Sequence, residues 1–214
     1  MNERFNNELE AQINGDLPKG HIYQLGRPGD ILRNAGIPDL PIEINADVLA
    51  LKASQNYGHP FDLSEIKDLP NAIQDPIMVF DSKTRKGSKV ILTELQSKGV
   101  NFVVAMEMNH KGKYNKNTEI NSIRSVYPKN RLLEVISNWC DSGLLRYVNE
   151  EKASALTTQL RSNSADVAVK AEASTYNIVK NFEKSKGKDE KNTKKRIFPP
   201  PTPWGGEDDL DADH

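Results

Sequence analysis

Apolar residues first recur at helical spacing in residues 2–13, where Phe5, Leu9 and Ile13 form a weak stripe. Leu17-Pro18-Lys19-Gly20 breaks it. Asp30 has the chemistry of an N-cap for a short turn over 31–35, and Gly36 that of its left-handed stop. Prolines at 38 and 41 leave room only for a short edge strand, Ile42-Glu43-Ile44. Asn45 then caps a predicted helix over 46–56, with Val48, Leu49, Leu51 and Ala53 facing inward. Gly58-His59-Pro60-Phe61 is a sharp break, Asp62 caps a short helix over 63–68, and one more turn runs from Leu69 to Ile73.

Beyond Asp75-Pro76 the period changes from helical to two. Strands are predicted at 77–80, 89–95, 100–109 and 119–127, with a hairpin turn at Gln96-Ser97-Lys98-Gly99. The third of these alternates most cleanly, with Val100, Phe102, Val104, Met106 and Met108 on one face. Asn130 caps a helix over 131–142 whose buried stripe is Leu132, Leu133, Val135, Ile136 and Trp139, and Gly143 ends it. A last strand, 144–148, precedes a last helix, 150–161. The order predicts an α+β domain: short N-terminal helices packed on an antiparallel β-meander of about four to five strands, with one inserted helix and a C-terminal helix. Central strands joined by hairpins argue against a doubly wound sheet.

Charge divides the chain. Of its 214 residues, 163–214 hold nine of the 29 basic and ten of the 30 acidic ones, which leaves 20 of each in residues 1–162. Residues 183–196 are almost wholly polar, 198–204 combine prolines with Phe198 and Trp204, and five carboxylates follow from Glu207 to Asp213. Such segments bury too little apolar area to offset the cost of ordering, roughly 1–2 kcal/mol per residue for the backbone. Three segments result: an N-terminal helical piece, 1–20; an α+β domain, 21–163; and a largely disordered, charged and proline-rich tail, 164–214, whose Pro-Trp cluster is a candidate docking segment for a protein partner. No run approaches the roughly 18 apolar residues of a membrane span, and the polar N-terminus is not a secretory signal, so a cytoplasmic location is expected.

The candidate chemistry is sparse. A single cysteine, Cys140, reads as a core residue more readily than as a nucleophile. Phosphate-loop, dinucleotide, nucleophile-elbow and zinc-helix signatures are lacking, and His21, His59, His110 and His214 are too scattered for a metal site, so neither metal nor cofactor is expected. His59, in its sharp turn, suits a general acid or base, or equally a side chain that braces the turn. Ser122, Arg124, Ser125, Tyr127 and Lys129 form a second constellation. Period two puts Ser122 and Arg124 on one face, with Ser125 and Tyr127 on the other. An arginine among hydroxyls, followed by a lysine, suits a phosphate; the competing reading is a cross-strand pair from Arg124 to Glu94 or Glu107. Lys83, Arg85 and Lys86 add positive charge on a nearby loop.

Several runs have a familiar combination: Leu25-Gly26-Arg27-Pro28, Gly36-Ile37-Pro38-Asp39-Leu40-Pro41-Ile42, His59-Pro60-Phe61-Asp62-Leu63, Leu69 to Ile77, Asn121 to Lys129, and Gly143-Leu144-Leu145-Arg146-Tyr147. Together, over about residues 22–167, they resemble the domain at the C-terminus of phage MuF-like head-morphogenesis proteins, also found in polyvalent proteins of phages and conjugative elements. The resemblance implies an α+β fold and a part in conflict between mobile elements and their hosts. It also implies an affinity with the barnase, EndoU, colicin and RelE-like nucleases, which cleave RNA without metal. On that analogy the catalytic residues are His59 and Glu94, which move protons, and Arg124, which stabilises the phosphorane. Lys83, Arg85, Ser122, Ser125, Tyr127 and Lys129 contact the substrate. An endoribonuclease-like effector acting on RNA is the leading expectation. A non-catalytic adaptor that binds an immunity or other protein through the Pro-Trp tail is its rival, and a transferase using Arg124 and Tyr127 on a nucleotide is a third reading.

Overall fold

The computed structural model describes residues 2–54, 58–111 and 118–162; the tail and its Pro-Trp cluster lie outside the described residues. The chain runs through α1 (Asn2–Asn14), β1 (Ile22–Gln24), α2 (Asp30–Asn34), β2 (Ile42–Asn45) and α3 (Ala46–Ala53). A 3-10 turn, Leu63–Ile66, leads to α4 (Leu69–Gln74), β3 (Met78–Asp81), β4 (Ser88–Ser97) and β5 (Val100–Lys111). β6 (Glu119–Pro128), α5 (Leu132–Asp141), β7 (Leu145–Val148) and α6 (Glu150–Ser162) complete it. The fold is α+β.

One seven-stranded sheet has the order β1-β2-β6-β5-β4-β3-β7. β3 to β6 are the expected antiparallel meander, and β7 returns antiparallel to β3 after α5. The strand number of four to five is corrected to seven. β1, which is only three residues long and carries little period-two signal, pairs with β2. β2 was expected at an edge but lies inside the sheet, parallel to β6 through Ile42–Asn121, Glu43–Ser122 and Ile44–Ile123. Pro38 and Pro41 precede the strand rather than interrupt its ladder, so they do not prevent pairing on both sides.

Alternation along the meander sorts two cores onto its two faces. Val79, Ile91, Phe102, Val104, Met106, Ile123 and Val126 pack with Phe5, Leu9, Leu32, Leu49 and Leu69 of the N-terminal helices. Met78, Phe80, Leu92 and Val103 pack on the opposite face with Leu132, Ile136, Cys140, Ala153 and Leu156 of α5 and α6. Phe5 and Leu9 share the first core with Tyr23, so α1 packs onto the same body as the sheet.

Local chemistry explains the element ends. Asn45 Oδ1 accepts from Asp47 N at 2.8 Å and Val48 N at 3.4 Å, as its residue type predicts, and Asp62 and Glu65 form a reciprocal capping box. Asp30 is instead the first residue of α2; the capping position is Gly29, whose N–H donates to Gln74 Oε1 at 2.7 Å. α5 is entered through Arg131 in the left-handed region, φ 54°, with no side-chain cap from Asn130. α3 is shorter than predicted and leaves Leu51 54% exposed. Gly36 does end its turn at φ +85°, and a Cβ there would stand 3.3 Å from the buried Lys89 Nζ, which pairs with Asp81 at 2.6 Å. Backbone strain and space both favour glycine at 36.

Buried Asn121 ties the proline loop to the sheet: its Nδ2 donates to Pro38 O at 2.8 Å and Leu40 O at 3.1 Å. Asn121→Ala strands two carbonyls, so unfolding free energy should fall by about 2–3 kcal/mol. In urea titration the midpoint drops while the slope stays the same. A loss below about 0.5 kcal/mol would show that the loop holds its place without this side chain.

Candidate functional site

α5 and α6 cover the second face around Met78, Phe80, Leu92 and Val103, with Phe80 against Trp139. At the other end of the same face a cavity of about 290 Å³ opens, lined by Ser82, Thr84, Arg85, Ser88, Ala105, Met106, Glu107 and Arg124. Arg85 comes from the β3–β4 loop, Ser88 from the first residue of β4, Glu107 from β5 and Arg124 from β6.

Glu107 is the hub. Its Oε2 lies 3.1 Å from Arg85 Nη1, 3.5 Å from Arg124 Nε and 3.6 Å from His110 Nδ1. The carboxylate is 29% exposed, so its charge is partly screened, and three potential cations share it. Ser88 Oγ, in a residue 7% exposed, has no hydrogen-bond partner among the described residues and borders the same cavity. Ser82 Oγ and Thr84 Oγ1 are 3.4 Å apart on the loop above it.

Two β-bulges create this convergence. The β5–β6 register steps from Ala105–Ser125 to Met106–Ile123, so Arg124 is an extra residue on β6. It then steps from Glu107–Ser122 to His110–Ile120, which gives β5 one extra residue beside Asn109, itself at φ 54°. Directly opposed residues share a face. Ser122 therefore stands with Glu107, Ser125 with Ala105 and Tyr127 with Val103, while the bulge turns Arg124 to the same side. Strict alternation predicted that Ser122 and Arg124 would face away from Ser125 and Tyr127. The structure corrects this: one extra residue resets the alternation, and all four share the cavity face.

The expected catalytic trio does not meet. Glu94, which stands about 20 Å along β4 from Ser88 by the rise per residue, pairs with Lys152 Nζ of α6 at 2.6 Å. Lys152 also reaches Asp75 Oδ2 at 2.7 Å, so Glu94 belongs to a clasp between β4, α4 and α6. His59 lies beside Tyr127, with ring centroids 5.9 Å apart and planes 27° apart. Lys129 Nζ is 5.8 Å from the Tyr127 centroid. Burial raises the Tyr127 phenol above its usual range. Lys83 is exposed on the loop that carries Arg85. Of the two cross-strand partners considered for Arg124, Glu107 is the one found.

The pairing of Glu107 with His110 is not legible in the sequence. Residues i and i+3 of a regular strand face opposite ways. Asn109 carried the available signal, because asparagine tolerates the left-handed conformation that a bulge here uses. Cys140 sits among core residues, and burial, then the neighbouring Asp141, pushes its thiol up to about 12. It is a core side chain with little thiolate at neutral pH.

Residues 50–155 match the family model described as the phage MuF C-terminal domain. The matched segment, 50–155, is similar to that family's domain. This span is narrower than the 22–167 over which the resemblance was drawn, and it leaves β1 and β2 outside. It contains every residue of the Glu107 hub, together with His59, Glu94 and Tyr127. No curated protein and no solved structure matches the chain. The match to the phage MuF C-terminal domain suggests a phage-related protein, and among the described residues no helix is long and apolar enough to cross a membrane.

Within the matched segment, Glu107 is the counter-charge that keeps two guanidiniums at the cavity. Glu107→Gln removes that charge, so inorganic phosphate should bind the variant about fivefold more tightly than wild type, on the order of 1 kcal/mol for a half-exposed site. Calorimetry at low ionic strength reads the difference, and equal affinities would show that the carboxylate does not compete for the arginines.

Proposed function

We propose that the domain is a phage effector that cleaves RNA at the Arg85–Arg124 cavity by transesterification. The observation that carries this reading is the Glu107 carboxylate, held within 3.6 Å of two arginines and His110 at an open cavity. A phosphodiester brings the charge that both guanidiniums favour, and it competes with Glu107 for them. A carboxylate and an imidazole beside the same phosphate are the pair that moves two protons.

In this mechanism Glu107 takes the proton of the ribose 2′-hydroxyl, and the freed oxygen attacks the adjacent phosphorus. The bond from phosphorus to the 5′-oxygen breaks, and His110 gives its proton to that leaving oxygen. The products are a 2′,3′-cyclic phosphate and a 5′-hydroxyl. Arg85 and Arg124 hold the phosphorane oxygens where negative charge develops, and the unpartnered Ser88 hydroxyl offers one more donor. Acid and base thus move from His59 and Glu94 to His110 and Glu107, while Arg124 keeps its expected role. Ser122 opposes Glu107 on the same face, and Lys83 adds positive charge at the loop.

Incubation of the purified chain with 5′-labelled RNA in EDTA tests this directly. Fragments ending in 2′,3′-cyclic phosphate are expected, and Glu107→Gln, His110→Ala and Arg124→Ala should each slow their formation at least 100-fold. The variants should keep the wild-type unfolding midpoint within a few degrees, because the hub is half-exposed. Binding of RNA without cleavage by the wild type, or full rates in the Glu107 and His110 variants, overturns the catalytic reading. The first of these results favours the adaptor.

A further inference from the structure

We infer that His59, backed by the ring of Tyr127, is a stacking platform for one base of single-stranded RNA, with Lys129 on the phosphate beside it. The inference rests on the cavity being an RNA site, and it supplies a contact that holds the strand beyond the reacting nucleotide.

Tyr127 is a fixed support. It opposes Val103 in the β5–β6 ladder and packs against the core beneath α5 and α6. His59 is held from its other side: Phe61, two residues on, is buried edge-on against Phe102, with centroids 5.0 Å apart and planes 86° apart. Gly58, at φ +70°, and Pro60 bracket it in the turn. Among the described residues the His59 imidazole makes no hydrogen bond that would explain it as a brace for this turn; its contact is the near-parallel stack on Tyr127. A half-exposed ring kept flat by another ring is preorganised to receive a third.

The position suits a strand of RNA. Tyr127 lies three residues beyond Arg124 on the same face, about 10 Å along β6, which is more than one nucleotide step from the Glu107 cavity. Lys129 Nζ, 5.8 Å from the Tyr127 centroid, puts a cation where the next phosphate of a strand running along β6 would pass. Arg124, Tyr127 with His59, and Lys129 therefore alternate charge, aromatic surface and charge. This is the arrangement that binds single strands without demanding one base.

Fluorescence anisotropy with a fluorescein-labelled hexaribonucleotide tests the platform. Every ribose is 2′-O-methylated, so no hydroxyl can attack and binding is read apart from cleavage. His59→Ala and His59→Leu should each weaken binding about tenfold, whereas His59→Phe and His59→Trp should stay within about twofold of wild type. A merely structural apolar role would be kept by leucine, and phenylalanine separates stacking from imidazole chemistry. Lys129→Gln should reduce the slope of log affinity against log salt by about 0.7, the value for one phosphate contact on a single strand. Wild-type affinity in His59→Leu, affinity in His59→Phe as poor as in His59→Ala, or no binding by wild type would each overturn the platform. A protein that cleaves RNA but binds the probe equally well in all His59 variants loses the platform and keeps the nuclease reading. One that never cleaves but shows the Phe-rescued binding keeps the platform.

Discussion

The pairing of β4, β5 and β6, apolar on both faces, is the constraint on which the other elements depend. Ile91, Phe102, Val104 and Met106 face the N-terminal helices, while Leu92 and Val103 face α5 and α6. A slip of one residue would exchange the two sets and mismatch both layers at once, so the register is held from two sides. The helices then settle where apolar surface is offered. α5 and α6 stop where β4 and β5 no longer present large apolar side chains, at Ser88, Ala105 and Glu107, and the uncovered end of the sheet becomes the cavity.

Within that rigid ladder two extra residues do what regular alternation forbids. They flank the Glu107–Ser122 pair, one on each strand, and bring Arg124 and His110 to the same carboxylate. Half-exposed ion pairs of this kind contribute little to stability, commonly under ~1 kcal/mol each. Their effect lies in placement: cations from a loop and two strands are kept at one opening, on supports that the cores hold still. The contrast with Lys89 is instructive. It pairs with Asp81 on the opposite, helix-covered face, is almost wholly buried, and has Gly36 pressed against it. That pair is part of the body of the fold, whereas Glu107 and its partners face an open space.

Much of the architecture was legible along the chain because its signals are local. The clean alternation of Val100 to Met108, the caps at Asn45 and Asp62, the stop at Gly36 and the apolar stripe of α5 depend on neighbours a few residues away. β1 was missed because three residues hold no period to detect, and the parallel pairing of β2 with β6 joins segments nearly 80 residues apart. The site was legible only in part. Residue type marks Arg124, Arg85 and Ser122 as candidates, and Tyr127 and His59 do meet. Glu94 was drawn in by its charge, although Lys152, 58 residues further on, holds it elsewhere.

Local signals along the chain set most of its helices and strands, where many of them stop, and that an α+β body carries cationic residues on one hairpin loop and one strand. Hydrophobic period, capping chemistry and glycine conformation act over a few residues, and the linear order contains them. Which charged groups meet depends on packing between distant segments. A bulge changes the facing of every residue beyond it, and its position depends on the opposite strand, on how far the helices cover the sheet, and on where the chain returns. Glu107 became the centre of the candidate site for that reason, and nothing in its own stretch of sequence distinguishes it from an ordinary solvent-facing strand residue.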